Sequence, residues 1–183
     1  MAYKNKILNN PHTGHTIKFL QTSKDTGGRL LEVEGSYPSR SIIPPAHYHP
    51  YQEEDFLIIK GQMTLRMDGK IMILRAGDSL HIPPNTPHSM WNNSGTEAIV
   101  NWKIQPALDT EYFFETTVGL AVDSKLKENG RPKLFESVLM VNRFSKVFRL
   151  SKPPYILQKI ALVILTPLAY LLGYRPAYKK YFD

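Results

Sequence analysis

Short alternating apolar runs, each closed by a turn signal, fill the first hundred residues of this chain and leave few folds open to it. Asp68-Gly69 separates the runs at residues 63–67 and 70–74, and an Asp-Gly pair in that setting is the strongest short-range signal for a hairpin. Similar runs lie at residues 16–20, 29–34, 55–60, 79–82, 88–92 and 98–104. Many short strands with turn signals between them predict an all-β sandwich or barrel.

The pattern changes after Pro106, where apolar residues recur with a helical period. Three helices are predicted, at residues 110–126, 134–150 and 155–172. Asp109 or Thr110 is expected to cap the first helix and Asn129-Gly130 to end it, while Pro153-Pro154 stops the second and Gly173 follows the third. We therefore divide the chain into a β-barrel, residues 1–106, and a helical extension, residues 107–183.

Composition excludes several kinds of site. The 183 residues include no cysteine, so disulfides, zinc–thiolate sites, iron–sulfur clusters and cysteine nucleophiles are excluded. The first eleven residues lack the apolar run of a signal peptide, which makes a cytoplasmic protein the expectation. The net charge of +7 is uneven, because residues 1–123 carry 11 Lys and Arg against 13 Asp and Glu, whereas residues 124–183 carry 12 against 3. No nucleic-acid motif accompanies this basic end, and we expect no nucleic-acid partner.

Three histidines and a glutamate, His47, His49, Glu54 and His88, occur in two blocks about thirty residues apart. His47 and His49 are two residues apart, so on a strand they point to one face, and Pro50-Tyr51 supplies the break that turns Glu54 to the same side. Three imidazoles and one carboxylate suit one divalent first-row transition metal, namely iron, manganese, nickel, cobalt, copper or zinc. On a metal that prefers six ligands, two positions stay open, as a reactive site requires.

The two blocks resemble the two motifs of the cupin superfamily, G(X)5HXH(X)3,4E(X)6G and G(X)5PXG(X)2H(X)3N. The resemblance implies a single cupin barrel, a double-stranded β-helix or jelly roll, with His47, His49, Glu54 and His88 as metal ligands. Glu53 also lies within the permitted gap, but only Glu54 is followed by six residues and then a glycine. The chain departs from the motifs in two places. Ser41 stands at the opening glycine, and Asn85, which also tolerates a left-handed turn, replaces the second.

A substrate pocket follows from the strand period of two, which turns Phe56 and Ile58 to the side of Glu54, and Met90 and Asn92 to the side of His88. This lining favours a small aromatic or aliphatic molecule over a phosphorylated one. The alternative is that the apolar members only fill the barrel. His81 is a candidate general acid or base, although a surface position is the simpler interpretation. Tyr37, Tyr48 and Tyr51 flank the first block and are placed at its mouth.

The leading functional hypothesis is a metal-dependent oxidoreductase, dioxygenase-like, acting on a small and largely apolar organic molecule. The resemblance covers fold and metal rather than reaction. Two alternatives stay open. One is a non-catalytic cupin that binds or senses a small ligand, and the other is a metal-dependent isomerase or lyase.

The last predicted helix is apolar on nearly every side, and tyrosines and cations follow it. A helix of this kind is buried in protein or meets lipid. Packing on the barrel or across a homodimer is the first expectation. Peripheral membrane association through residues 155–183 is the second, and a membrane span, for which the run is barely long enough, is the third.

Overall fold

Antiparallel strands build two sheets in the computed structural model, which describes residues 2–123, 127, 132–176 and 179–182. The strands in this part of the chain are β1 (Ile7–Asn9), β2 (Thr16–Gln21), β3 (Leu31–Tyr37), β4 (His47–Tyr48), β5 (Glu53–Lys60), β6 (Gln62–Met67), β7 (Lys70–Arg75), β8 (Ser79–Ile82), β9 (His88–Trp91), β10 (Ala98–Gln105) and β11 (Arg149–Leu150). One sheet has the order β1-β2-β3-β10-β5-β8, and the other has the order β11-β4-β9-β6-β7. The predicted β-barrel is confirmed.

The hairpin predicted at Asp68-Gly69 joins β6 and β7 with Met67 opposite Lys70. Both turn residues have positive φ angles, 48° at Asp68 and 78° at Gly69. This conformation matches the right-handed twist of the flanking strands, which is why Asp-Gly is favoured there.

Strand alternation places one face of β5 inside the barrel. Glu54, Phe56 and Ile58 are buried, while Leu57 between them is exposed. The inner apolar side chains form one cluster from both sheets: Phe56, Ile58, Met63, Leu65, Ile82, Met90, Ala98 and Val100. Each large side chain so buried stabilises the fold by about 1.5–3 kcal/mol. Glu54 is the charged exception on this face.

Four helices lie in the described residues: α1 (Ser23–Thr26), α2 (Thr110–Val122), α3 (Leu134–Arg143) and α4 (Tyr155–Leu171). The last three confirm the predicted helical part of the fold. α2 packs through Phe114 and Val118 against a second apolar cluster formed by β1, β2 and β3. The four-residue α1 was not predicted. A capping box between Thr22 and Asp25 starts it, and Gly27 ends it in the left-handed region.

Helix ends differ from prediction at several points. Asp109 precedes α2 but makes no side-chain capping bond, and its carboxylate instead accepts a hydrogen bond of 2.6 Å from Arg143. α3 was predicted to reach Leu150 but ends at Arg143, because Arg149 and Leu150 pair with β4 as strand β11. Gly173, at φ +85°, follows α4 as predicted. The predicted stop at Asn129-Gly130 lies outside the described residues.

Candidate metal centre

The strands bring His47, His49 and His88 together at one end of the barrel. His47 on β4 pairs directly with His88 on β9, and His49 follows two residues after His47. The ring centroids of His47 and His88 are 4.5 Å apart, and one nitrogen from each of the three rings lies within 4.8 Å of the others. His49 and His88 are buried, and His47 is half-buried.

Backbone carbonyls orient all three imidazoles in the same way. The Nδ1 atoms of His47, His49 and His88 lie 2.9, 2.6 and 2.9 Å from the carbonyl oxygens of Pro45, Val147 and Thr86 respectively. A carbonyl oxygen can only accept, so each Nδ1 carries the hydrogen and each neutral ring keeps its lone pair on Nε2. Such support is typical of metal-binding histidines, whose second nitrogen is held by a backbone oxygen or a carboxylate.

Glu54 faces this group from β5 and is only 1% exposed. Its Oε1 lies 3.2 Å from Nε2 of His49, and its Oε2 lies 3.1 Å from Nε2 of His88. The indole Nε1 of Trp102 donates a 3.1 Å hydrogen bond to Oε1. Glu53, the other candidate carboxylate, is half-buried on the opposite face of β5. The alternation of the strand therefore brings Glu54 rather than Glu53 to the histidines.

This arrangement of acceptors fits a bound cation. Two acceptors face each other where a neutral Nε2 meets a carboxylate oxygen, and in the described part of the chain neither His49 Nε2 nor Glu54 Oε2 has a hydrogen-bond partner. Buried acceptors in that state destabilise a fold unless a proton or a metal lies between them. Two ligand atoms that each lie about 2.1 Å from one metal, with a right angle between the two bonds, are about 3 Å apart. The distances from Glu54 to His49 and His88, 3.2 and 3.1 Å, are close to this value. The residues thus fit a divalent metal.

The pKa shifts of the four candidate ligands follow from their burial and from the charges that they place on one another. Burial, assisted by the neighbouring imidazoles, lowers the pKa of His47 to about 3. Burial also lowers the pKa of His49. At His88 burial opposes the charged ring, but the carboxylate of Glu54 outweighs it and raises the pKa. At Glu54 burial opposes the charged carboxylate, but the imidazoles outweigh it and lower the pKa. The carboxylate is therefore ionised, and His88 is the ring that takes up a proton first.

A covering segment, residues 144–150, lies over the site and was not predicted. Phe148 stacks on His47 with ring centroids 4.7 Å apart, and Phe113 of α2 stacks on Phe148 at 5.3 Å. β11, within this segment, pairs Leu150 with His47 and Arg149 with Tyr48. The adjacent β-branched and aromatic residues Val147 and Phe148, shortly before two prolines, were the available signal for a strand, although nothing local indicates its partner.

The predicted pocket residues have different surroundings. Phe56, Ile58 and Met90 belong to the buried inner cluster, and the Phe56 ring stacks on Trp102 at 5.3 Å, next to the carboxylate of Glu54. Asn92 is fully buried, but its Nδ2 lies 3.3, 2.9 and 2.6 Å from the backbone oxygens of residues 37, 38 and 96. These bonds hold a loop, so the carboxamide has no hydrogen left for a substrate.

Two further predicted positions can be placed. His81 is exposed on the outer face of β8, and its Nδ1 lies 2.8 Å from Asp55, the neighbour of Glu54 that points outward. The structure therefore does not bring His81 to the metal site. Tyr37 lies closer, since it packs on the inner cluster, and burial together with the charge of Glu54 raises the pKa of its hydroxyl.

The two departures from the cupin motifs have structural roles. Asn85 adopts a left-handed conformation, φ +63°, where the motif has glycine, and its backbone N–H donates to the carbonyl of His49 at 2.9 Å. Ser41 exchanges two hydrogen bonds with Asn92, whose backbone N–H donates to Oγ of Ser41 at 2.8 Å. Both residues tie the first block to the second.

Comparisons with known proteins support the assignment. Residues 35–102 match the Cupin_2 family, described as the cupin domain. A 72-residue stretch, 39% of the chain, is 39% identical to quercetin 2,3-dioxygenase of Bacillus subtilis, but it spans only 21% of that protein. The probable oxidoreductase virH of Hypocrea virens is 27% identical over 87% of this chain and 80% of its own length.

A solved structure, an RmlC-like cupin from Shewanella frigidimarina, superposes with a TM-score of 0.50 at 21% identity. The superposition covers 61% of this chain and 92% of that one, and at this identity it supports the fold alone. Taken with the two motifs, the two-sheet barrel and the histidine cluster, these similarities show that residues 35–102 form a cupin domain and that the chain has the cupin fold.

Proposed function

We propose that this protein is a metal-dependent oxidoreductase, dioxygenase-like, that acts on a small and largely apolar organic molecule. One observation carries the proposal: His49 and His88 present their Nε2 atoms to the buried carboxylate of Glu54 at 3.2 and 3.1 Å, and a ring nitrogen of His47 lies within 4.8 Å of theirs. The named activities of the quercetin dioxygenase and the virH oxidoreductase agree with it.

His47, His49, Glu54 and His88 would hold the metal, which when bound would supply a Lewis-acidic centre and, for any of the named metals except zinc, a redox-active one. The carbonyls behind each Nδ1 fix the rings, so little freedom is lost on binding. Trp102 fixes the carboxylate of Glu54 by hydrogen bonding to Oε1. Such outer contacts typically contribute ten- to a hundredfold to metal affinity or activity.

The surroundings favour an apolar substrate. Aromatic side chains contact two of the four candidate ligands, since Phe148 stacks on His47 and Trp102 donates a hydrogen bond to Glu54. Arg149, the residue after Phe148, lies over the ring of Tyr155 at 3.8 Å. Aromatic surroundings of this kind favour an apolar substrate over a phosphorylated one.

Oxygen uptake tests the proposal. Full-length protein loaded with iron, manganese, nickel, cobalt, copper or zinc is mixed with a panel of flavonols, smaller phenols and aliphatic diketones. We expect at least one metal and one apolar substrate to give oxygen consumption with an oxygenated product by mass spectrometry. His88→Ala should abolish the uptake, and the matched surface variant His81→Ala should keep it.

The same assay separates the alternatives. Substrate conversion without oxygen uptake would replace the oxidoreductase by an isomerase or lyase. The cover over His47 favours a second candidate, a cupin that holds a small ligand without converting it. Ligand binding by calorimetry with no product from any of the metals would establish that role and end the catalytic proposal.

A further inference from the structure

α4 exposes an unusually apolar surface. Of its seventeen residues, only Gln158, Leu162 and Ala169 are buried. The large apolar side chains that α4 and the residue after it leave exposed are Ile156, Leu157, Ile160, Val163, Ile164, Leu168, Tyr170, Leu171 and Leu172, with exposed fractions from 44% to 85%. An exposed apolar surface of this size, rimmed by polar groups, marks an interaction site.

The exposed residues form a continuous stripe along the helix. Ile156, Ile160, Val163 and Ile164 follow the spacing of one helical face and, with Lys159, line a shallow groove. The opposite face carries the three buried residues and packs against α3. α4 is therefore held by the protein on one side and presents its apolar side outward.

The charged residues around α4 indicate which kind of partner its apolar surface can bind. Residues 137–182 contain eight Lys and Arg and no Asp or Glu. Lys152 lies just before α4, Lys159 lies within its exposed groove, and Arg175 lies just after it, all three exposed. Tyr155 and Tyr174 flank the two ends of the helix. An apolar face bordered by cations and tyrosines is the composition of helices that lie in the headgroup region of anionic bilayers.

A second copy of the chain fits less well. Two such surfaces placed face to face would bring basic residues against basic residues without an acidic partner from the same segment, and like charges in contact disfavour association. An anionic lipid surface neutralises the cations and accepts the apolar stripe. None of the helices in the described ranges is long and apolar enough to cross a membrane. We infer that α4 docks the protein on an anionic lipid surface, lying in the plane of the interface.

Vesicle co-sedimentation of the full-length protein tests the inference. Vesicles of phosphatidylcholine containing phosphatidylserine should bind the protein. Vesicles of phosphatidylcholine alone should bind it at least about tenfold more weakly, because each Lys or Arg near an anionic surface contributes about fivefold. Added salt should weaken the binding, since it screens the attraction. Equal binding to both vesicles, or no binding to either, would overturn the inference.

Matched variants locate the surface. Val163→Asp and Lys159→Glu should each weaken vesicle binding about tenfold or more, because one removes apolar contact and the other reverses a charge. Ile71→Asp, on the outer face of β7 at 60% exposure, is the control and should bind as the unaltered protein does. Circular dichroism checks that each variant is folded. If Val163→Asp instead converts a dimer to a monomer and leaves vesicle binding unchanged, the occupant is a second copy and the inference is wrong.

Discussion

The barrel interior and the outer face of α4 are both rich in apolar side chains, but they differ in how completely the fold determines them. Inside the barrel, Phe56, Ile58 and Leu65 are at most 4% exposed, and Glu54 has neighbours on every side. On α4, Val163 and Leu171 are 72% and 85% exposed. The single chain buries the first region, whereas it leaves the apolar side chains of the second region exposed to solvent.

The largest expected effect is the loss of metal from the barrel site. His88→Ala removes one of three imidazoles and should reduce bound divalent metal from about one equivalent to a small fraction, since a ligand is lost outright. His81→Ala, which removes an exposed histidine from the same region, should keep the metal. Elemental analysis of the purified proteins is the measurement. Equal metal in both variants would remove the basis for the site.

A substitution at Gly61 tests how much the close packing of the barrel contributes to stability. A Cβ there would lie 2.3 Å from the carbonyl oxygen of Glu97, and the residue has φ +75°. Gly61→Ala should lower the free energy of unfolding by about 3 kcal/mol or more. The backbone at Glu97 must move away from the new Cβ, and alanine must also adopt an unfavourable positive φ. Gly69→Ala has a similar φ but open space around it and should cost about 1 kcal/mol. Urea titration measures both. Equal losses would show that the close approach at Gly61 has no energetic weight.

The choice of carboxylate comes next. Glu54→Gln keeps a hydrogen-bond acceptor for Trp102 but loses the charge, and should weaken metal binding by about ten- to a hundredfold. Glu53→Gln, one residue away on the other face of β5, should change it less than about threefold. Competition with a fluorescent chelator gives both affinities. The reverse order would identify Glu53 as the ligand.

Acid should remove the metal through His88. Its Nε2 binds either a proton or the metal, and its pKa is raised above the usual 6.5 by Glu54. Metal affinity is therefore full above that raised pKa and falls as pH drops through it, by up to about tenfold per pH unit. His47, with a pKa of about 3, stays neutral throughout. A chelator titration that gave the same affinity at about pH 8 and about pH 5 would contradict histidine ligation.

The smallest effect is expected at α4. Leu171→Ser removes an apolar group that is already 85% exposed, so the free energy of unfolding in the absence of lipid should change by less than about 0.5 kcal/mol. Thermal unfolding of the two proteins at equal concentration is sufficient. A loss of several kcal/mol would mean that this face is covered by protein, and the contrast between the two regions would fail.

The parts of the fold that could be predicted are those encoded locally. The Asp68-Gly69 hairpin and the alternation on β5 are visible in neighbouring residues, and the ligand set follows from the spacing of two motifs. The end of α3 could not be predicted, because Arg149 and Leu150 leave the helical pattern to pair with His47 and Tyr48 far away in the chain. The partner of His49 is hidden for the same reason, since Val147 lies 98 residues away.

Other expectations remain predictions. The boundary between residues 1–106 and 107–183, the homodimer and the cytoplasmic location have no test in the structure. β11 nevertheless places two residues from the second region in a sheet of the first. A truncation that removes Arg149 and every later residue would therefore remove β11, the strand that pairs with His47, together with α4.

Gln158 joins the two regions physically. Its buried Nε2 donates to the carbonyl oxygens of Leu150 and Pro153 at 2.8 and 2.7 Å, which fastens α4 to the end of β11, beside His47. A lipid surface that bound α4 and a metal that bound His47 would therefore both act on one connected piece of backbone. Thermodynamic linkage then requires reciprocity: whatever factor a bound surface contributes to metal affinity, the metal contributes the same factor to surface affinity. Gln158→Ala, by cutting the connection, should bring that factor towards one.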